Sequence, residues 1–298
     1  MKIGYFSRPA TRRNLAGYAF ILPGILGVLV FCLFPMLYSL SMGFTNWNMK
    51  SAPEFVGLDN FAAITQDPIV LKSVQVTLYY TVLAVPLTNI VALIMALLLN
   101  TKVRGMSYFR TIFYIPSIVP VVASSALWMF MFNPYTGMFN SILMKLGIPG
   151  QMWIYSPTQV IPCMVAMAAW SSGGTAIIYL ASLQDVPRHL YDAIEVDGGK
   201  ARHKFFNVTL PMISPVVFYN VVMSTIGSLQ SFTQGYIMTN GGPNNASLFY
   251  VLLLYRRAFT NSDMGMACAM AWVLFIVVGL VTALNFIGSR KWVYYGGA

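Results

Sequence analysis

The chain has 298 residues, of which 57% are hydrophobic and 9% charged, with a mean hydropathy of +0.67. A soluble domain carries about 25% charged residues, so this composition excludes an ordinary soluble enzyme and describes a membrane protein. The formal charge of +10 does not point to nucleic acid, because the cations fall in segments that flank long apolar runs.

Residues 1–16 hold Lys2, Arg8, Arg12 and Arg13 and no acid, the mark of a cytoplasmic N-terminal segment. The apolar run 17–43 is too long for the h-region of a signal peptide and is expected to be an uncleaved first span. Pro23 and Pro35 inside it are tolerable in a bundle. After a loop of mixed charge, span two is expected over 73–99. A short basic loop with Lys102, Arg104 and Arg110 leads to span three, ending at 132. Residues 133–157 are polar, with Trp153 and Tyr155 at their far edge suited to a membrane interface. Span four is expected over 158–183, span five over 210–232 and span six over 264–288, closed by Arg290 and Lys291.

Between spans five and six, Thr239-Asn240-Gly241-Gly242-Pro243 reads as a tight turn, since glycine supplies positive φ and proline fixes φ. Its functional reading is an outer loop near the delivered substrate. The apolar stretch 248–259 is too short to cross and carries Arg256-Arg257 near its end, so it is expected to lie as a helix at the outer surface. Six spans put both termini on one side. That side holds 13 of the 18 lysines and arginines, which makes it cytoplasmic by the positive-inside rule; Arg256-Arg257 run against it. The chain reads as one all-α transmembrane domain, 1–298, with 73–288 as its core module.

The polar segment between spans four and five interrupts this pattern. Pro187 opens a helix, where its missing N–H costs nothing. Leu190, Ala193 and Ile194 fall on one side at i, i+3 and i+4, with Asp192 and Glu195 elsewhere on the wheel. Gly198-Gly199 stops the helix, and a second turn is expected over 201–208. A short amphipathic helix held between two spans and facing the cytoplasm has the form of a docking element.

Catalytic machinery is missing from the pattern. Gly198-Gly199-Lys200-Ala201 lacks the upstream glycine and the hydroxyl of a phosphate-binding loop. Two histidines, both in this loop, give no metal cluster, and Cys32, Cys163 and Cys268 sit inside apolar runs as small hydrophobes. No Asp, Glu, Lys or Arg lies in the middle of a span, which argues against an ion-driven carrier. A permease without its own energy source borrows one, and a docking helix is the means.

The solute path should show as polar residues at helical spacing. Asn220, Ser224, Gly227, Ser228 and Ser231 form one stripe in span five. Ser171-Ser172-Gly173-Gly174-Thr175 interrupts the apolar run of span four beside Trp170. Aromatic faces stack on sugar rings, while amides and hydroxyls satisfy sugar OH groups. The candidate substrate-binding residues are therefore Trp170, Ser172, Gly173, Thr175, Asn220, Ser224, Gly227, Ser228 and Ser231. Small hydroxyl residues also serve as packing surfaces between membrane helices, the reading preferred for Thr77, Thr81 and Thr88 in span two and for Ser117, Ser124 and Trp128 in span three.

Tyr-Asp-Ala-Ile-Glu-Val-Asp-Gly-Gly (Tyr191 to Gly199), followed by Phe-Phe-Asn-Val-Thr-Leu-Pro (Phe205 to Pro211), resembles the EAA loop of bacterial ABC importer permeases. Within them it is most similar to the sugar-type permeases of the maltose and glycerol-phosphate class. The family pattern is Glu-Ala-Ala, two variable residues, Asp-Gly, and a later Leu-Pro pair. Asp192 stands for the opening Glu, Ala193 and Ile194 for the alanines, and Asp197, Gly198, Leu210 and Pro211 match directly. The departures are Asp for Glu, Ile for the second Ala, and Gly199 where Ala is usual. Val56-Gly57-Leu58-Asp59-Asn60-Phe61 and the Thr239–Pro243 turn also agree.

The resemblance implies a type I permease of six transmembrane helices with a coupling helix between spans four and five. It implies ATPase docking at Leu190, Asp192, Ala193, Ile194, Glu195, Asp197 and Gly198, and substrate contacts at Ser224, Ser228 and around Gly173. The implied partners are a second homologous permease subunit, two ATP-binding subunits that hold ATP and Mg, an extracytoplasmic solute-binding protein, a carbohydrate, and membrane lipid. No cofactor is expected in this chain and no nucleic acid among its partners. The expected site is the bacterial inner membrane. The alternatives are the same architecture carrying another solute, or an independent secondary carrier.

Overall fold

The computed structural model describes residues 9–101 and 103–295, the first eight of these by their backbone alone. Lys2, Arg8 and Lys102 lie outside the described residues. Among those described, regular structure is helical, apart from one bridge between Thr45 and Phe55. Four continuous helices are long and apolar enough to cross a membrane: Gly17–Met42, Pro68–Leu99, Ala201–Leu229 and Met264–Ser289. Two bent pairs bring the number to six if each pair is one span.

The third and fourth expected spans are each bent. Helices α5 (Met106–Ile118) and α6 (Val121–Met131) meet at 96°. Val119 between them is extended because it precedes Pro120, whose ring excludes the helical conformation at that position. Helices α8 (Val160–Trp170) and α9 (Gly173–Gln184) meet at 46°, across Ser171-Ser172.

Other boundaries shift for local reasons. Helix α4 (Pro68–Leu99) begins before residue 73 because Asp67 caps it, accepting from the Ile69 amide at 2.8 Å, with Pro68 in the first turn. The second turn of the cytoplasmic loop is not separate. Helix α11 (Ala201–Lys204) passes through a π turn, Phe205–Thr209, straight into α12 (Leu210–Leu229), so span five starts at Ala201.

By compactness the chain forms two units, Met1–Ile64 with Arg257–Val273 and Thr65–Arg256 with Leu274–Ala298. In the first, α1 (Pro9–Val28) continues through a π turn into α2 (Phe34–Met42). Phe20 and Phe31 stand almost fully exposed on it, as lipid-facing side chains would. Asn60 explains the Val56–Phe61 motif, since its Nδ2 donates to the carbonyls of Gly43 and Thr45 at 2.9 and 2.8 Å. Phe61 packs on Phe44, ring centroids 5.2 Å apart.

In the second unit α4 runs against α8, α9 and α12. Its buried face carries Ser73, Thr77 and Thr81, each hydroxyl donating to a carbonyl one turn back at 2.7 to 2.8 Å. Val82, Ile90 and Leu98 on its other face are exposed. The stretch 248–259 packs on protein along its first half. Leu248, Phe249 and Leu252 are fully buried, and the Tyr250 amide donates to Thr77 Oγ1 of α4 at 2.9 Å. A helix apolar on all sides buries itself in protein when protein is available, and α14 (Tyr250–Tyr255) does so.

Candidate translocation groove and coupling helix

The second unit holds a cavity of about 290 Å³ whose wall is polar but uncharged. Helix α4 gives it Tyr80, Ala84 and Thr88; the α8–α9 break gives Ala168, Ser171, Ser172 and Thr175. Helix α12 and the residues after it give Ser224, Gly227, Ser228, Ser231 and Gln234. Gly227 is exposed with nothing within 4 Å of where a Cβ would stand, so the groove is open on that side.

Six of the nine expected substrate residues are brought together here: Ser172, Thr175, Ser224, Gly227, Ser228 and Ser231. Trp170, Gly173 and Asn220 are not in the wall. Trp170 stands edge-on to Trp128 at 5.8 Å, joining an aromatic cluster with Phe132, Phe139 and Trp153. Trp153 belongs to that cluster, its indole N–H donating to Asn140 Oδ1 at 2.8 Å. Gly173 lies directly against the Phe113 carbonyl of α5, where any Cβ would collide. Asn220 is buried one turn behind Ser224, whose hydroxyl donates to the Asn220 carbonyl at 2.7 Å.

Residues outside the expected set complete the site. Asn89, buried on α4, donates to Ser224 Oγ at 2.9 Å and accepts from the Tyr179 hydroxyl at 2.8 Å, tying α4, α9 and α12 together. Gln234 Nε2 donates to Tyr80 Oη at 2.9 Å and Ser231 Oγ at 3.2 Å. The available signal was an amide inside an apolar span, which seeks a partner on a neighbouring helix. Thr88, first read as packing, lines the groove. Together these groups offer hydroxyl donors and acceptors, an amide and a phenol, with no fixed charge to hold an ion.

Helix α10 (Arg188–Val196) follows Pro187, whose extended backbone sets the start. Leu190, Tyr191 and Ile194 pack on the core that contains Leu99, Leu183, Val186 and Val208. Asp192, Ala193, Glu195, Asp197 and Gly198 are exposed, and so is Val196, an apolar side chain 88% open that the apolar-side reading did not include. The expected docking set thus divides. Leu190 and Ile194 anchor the helix to the bundle, and the other five face outward.

Gly198 closes the helix at φ +72°, in the left-handed region that favours glycine. Gly199 is required for another reason. A Cβ there would press on the Ile194 side chain and sit 2.9 Å from its carbonyl oxygen. Ile at 194 and Gly at 199, two of the three departures from the family pattern, therefore fit each other. Glu195 and Lys204 form an ion pair at 2.6 Å that ties α10 to the start of the span-five helix. Lys204, by its hydrogen bond and its charge, holds the Glu195 carboxyl below its ordinary range. No cluster of three or more metal-ligating side chains occurs among the described residues.

An apolar helical bundle with an uncharged polar groove and an outward-facing amphipathic helix on a loop is a membrane permease subunit. The chain belongs to the family of binding-protein-dependent transport system inner membrane components, whose family model matches residues 88–290. It is 40% identical over 294 residues to the "Probable ABC transporter permease protein YesP" of Bacillus subtilis, covering 97% of this chain and 95% of that one. To the arabinooligosaccharides transport system permease protein AraP of the same organism it is 33% identical over 285 residues, covering 94% and 90%. The solved structure of a bacterial ABC transporter involved in the import of the acidic polysaccharide alginate shares the fold, with a TM-score of 0.84 at 22% identity over 94% of this chain and 96% of that one. The chain is accordingly the membrane-embedded, multi-pass permease component of an ABC importer, a transport subunit and not an enzyme.

Proposed function

We propose that the groove between α4, α9 and α12 is this chain's half of a path for a neutral sugar or short oligosaccharide. The observation that carries the reading is the chemistry of the wall: Tyr80, Thr88, Ser171, Thr175, Ser228 and Gln234 can exchange hydrogen bonds with hydroxyl groups, and no charged side chain lines it. A neutral solute leaves no buried ion unpaired, a situation that costs several kcal/mol. The transported class named for the AraP relative, arabinooligosaccharides, supports the same direction.

In this reading a second, homologous permease faces the open side at Gly227, because alternating access needs two halves around a shared site. An extracytoplasmic solute-binding protein delivers the sugar. Two ATP-binding subunits hold ATP and Mg, hydrolyse the nucleotide, and dock on the outward face of α10 at Asp192, Ala193, Glu195, Val196, Asp197 and Gly198. Leu190 and Ile194 serve that docking from behind, by holding α10 in place. Both termini and α10 lie on the cytoplasmic side, in keeping with the lysine and arginine count.

Competition uptake into proteoliposomes of the complete importer tests the solute class. Neutral oligosaccharides are expected to compete with the transported sugar. Competition confined to uronate-bearing oligosaccharides would overturn the neutral path.

A further inference from the structure

A second cavity, about 630 Å³, lies in the same unit where α10 meets α5. Arg110 and Arg188 line it together with Asn100, Thr101, Gln184 and Tyr191, and no carboxylate lines it. Arg110 donates through Nη2 to the Leu99 carbonyl at 3.1 Å, while its Nε is buried with no hydrogen-bond partner. Neither arginine pairs with an acid among the described residues. Asp185, next to two lining residues in sequence, is exposed and outside the wall. The first turns of α5 and α10 both reach the cavity, at Met106 and Arg188, and neither helix is capped by a side chain. Two positive helix ends and two guanidinium groups converge on one space without a counter-charge.

We propose that this cavity binds a phosphate group. Guanidinium forks match the oxygens of a phosphate, and the positive ends of two helices favour an anion. Asn100, Thr101 and Gln184 add neutral donors. The group has two sources, the head of an anionic phospholipid or a soluble phosphate. In either case the anion bridges Arg188 on α10 to Arg110 on α5 and holds the coupling helix against the bundle. Binding stands without the proposed function; only its effect on coupling rests on that reading.

The test uses the complete purified importer in nanodiscs of phosphatidylcholine with increasing phosphatidylglycerol, and separately with added inorganic phosphate. Native mass spectrometry counts the phosphatidylglycerol retained, calorimetry reads phosphate binding, and ATPase activity reports coupling. Arg110→Gln and Arg188→Gln should each weaken binding of the responsible probe by about tenfold, with Arg110→Lys recovering part of the loss. Weakening for phosphatidylglycerol alone assigns the lipid headgroup, and weakening for inorganic phosphate assigns the soluble ion. Curves for both probes that superimpose on wild type overturn the site. If Arg110→Gln fails to assemble, Arg188→Gln, at an exposed side chain, decides. An importer that binds the probe but carries no sugar removes the groove reading and leaves this site standing.

Discussion

The helix Ala201–Leu229 has a different chemistry at each end. Near its far end Ser224 and Ser228 face a groove without charge, and Ser224 is satisfied by Asn89 and by its own helix. At its start Lys204 grips Glu195 across to α10, in a segment where charged side chains are exposed. One end offers many weak, exchangeable partners, which suits a solute that must enter and leave. The other end is cross-tied and water-facing, which suits transmission of a push. Substitutions at the two ends should therefore fail in different ways.

The largest effect is expected at the loop end. Gly198 sits at φ +72° with nothing within 4 Å of a Cβ position, so an added side chain meets no clash. The left-handed backbone costs a non-glycine residue about 1 kcal/mol, and Asp and Asn bear it better than most. Gly198→Asp should thus insert and assemble normally while placing a second carboxylate beside Asp197 on the docking face. Like charges brought into an interface cost several kcal/mol, which corresponds to a loss of uptake of about a hundredfold or more. Gly198→Asn, matched in backbone tolerance but uncharged, should keep most activity. Wild-type stimulation of ATPase activity by solute-loaded binding protein in the Asp variant would break the comparison at this end.

A smaller and different failure is expected in the groove. Ser228→Leu removes a hydroxyl and narrows the path without touching Asn89, so it perturbs the wall more than the helix contacts. Half-maximal uptake should need about tenfold more solute, with a lower maximal rate. Affinity of the solute for the external binding protein and ATPase activity without solute should not change, since neither involves the wall. Normal transport by this variant would make the span-five stripe a helix-packing surface, and the two ends would no longer differ in task.

What the sequence made legible follows the same division. Helix starts and stops depend on local chemistry, so Pro187 and Gly198 bounded α10 closely and the apolar lengths placed spans one and six, while spans two and five begin earlier than expected. Directions depend on neighbours. Pro120 announces a break, but the 96° between α5 and α6 is set by what surrounds them. The stripe at i, i+4 and i+8 put Ser224 and Ser228 in one wall, yet each four-residue step turns about 40°, and Asn220 ends up behind it. Trp170 and Gly173 looked suited to a sugar by type, but Trp170 turns its ring edge-on to Trp128 and Gly173 lies against the Phe113 carbonyl, so neither is in the groove wall. Tyr80 and Gln234 were missed because their meeting joins residues 154 apart in sequence. Leu190 and Ile194 were read as one apolar side of α10, and that side packs on the bundle.

The smallest effect is expected at the Glu195–Lys204 tie, at the start of the same helix. Glu195 is exposed, and exposed ion pairs contribute little to stability, so Glu195→Gln should change uptake by less than about twofold. Its trace should be local. Because Lys204 lowers the folded pKa of Glu195, the pair's contribution is fully present above the unfolded carboxylate range and is lost as pH falls through the lowered folded value. At neutral pH the Gln variant should therefore exchange its amide hydrogens faster than wild type around Gly198 to His203, where the Gly199 and His203 amides donate to the Ile194 and Lys200 carbonyls at 2.8 Å. Compared at matched pH, the gap between variant and wild type should close under acid conditions, since protonated Glu195 and Gln both lack the charge. A gap that persists unchanged in acid would mean that the side chain's shape, and not its ion pair, holds α10 to the span-five helix.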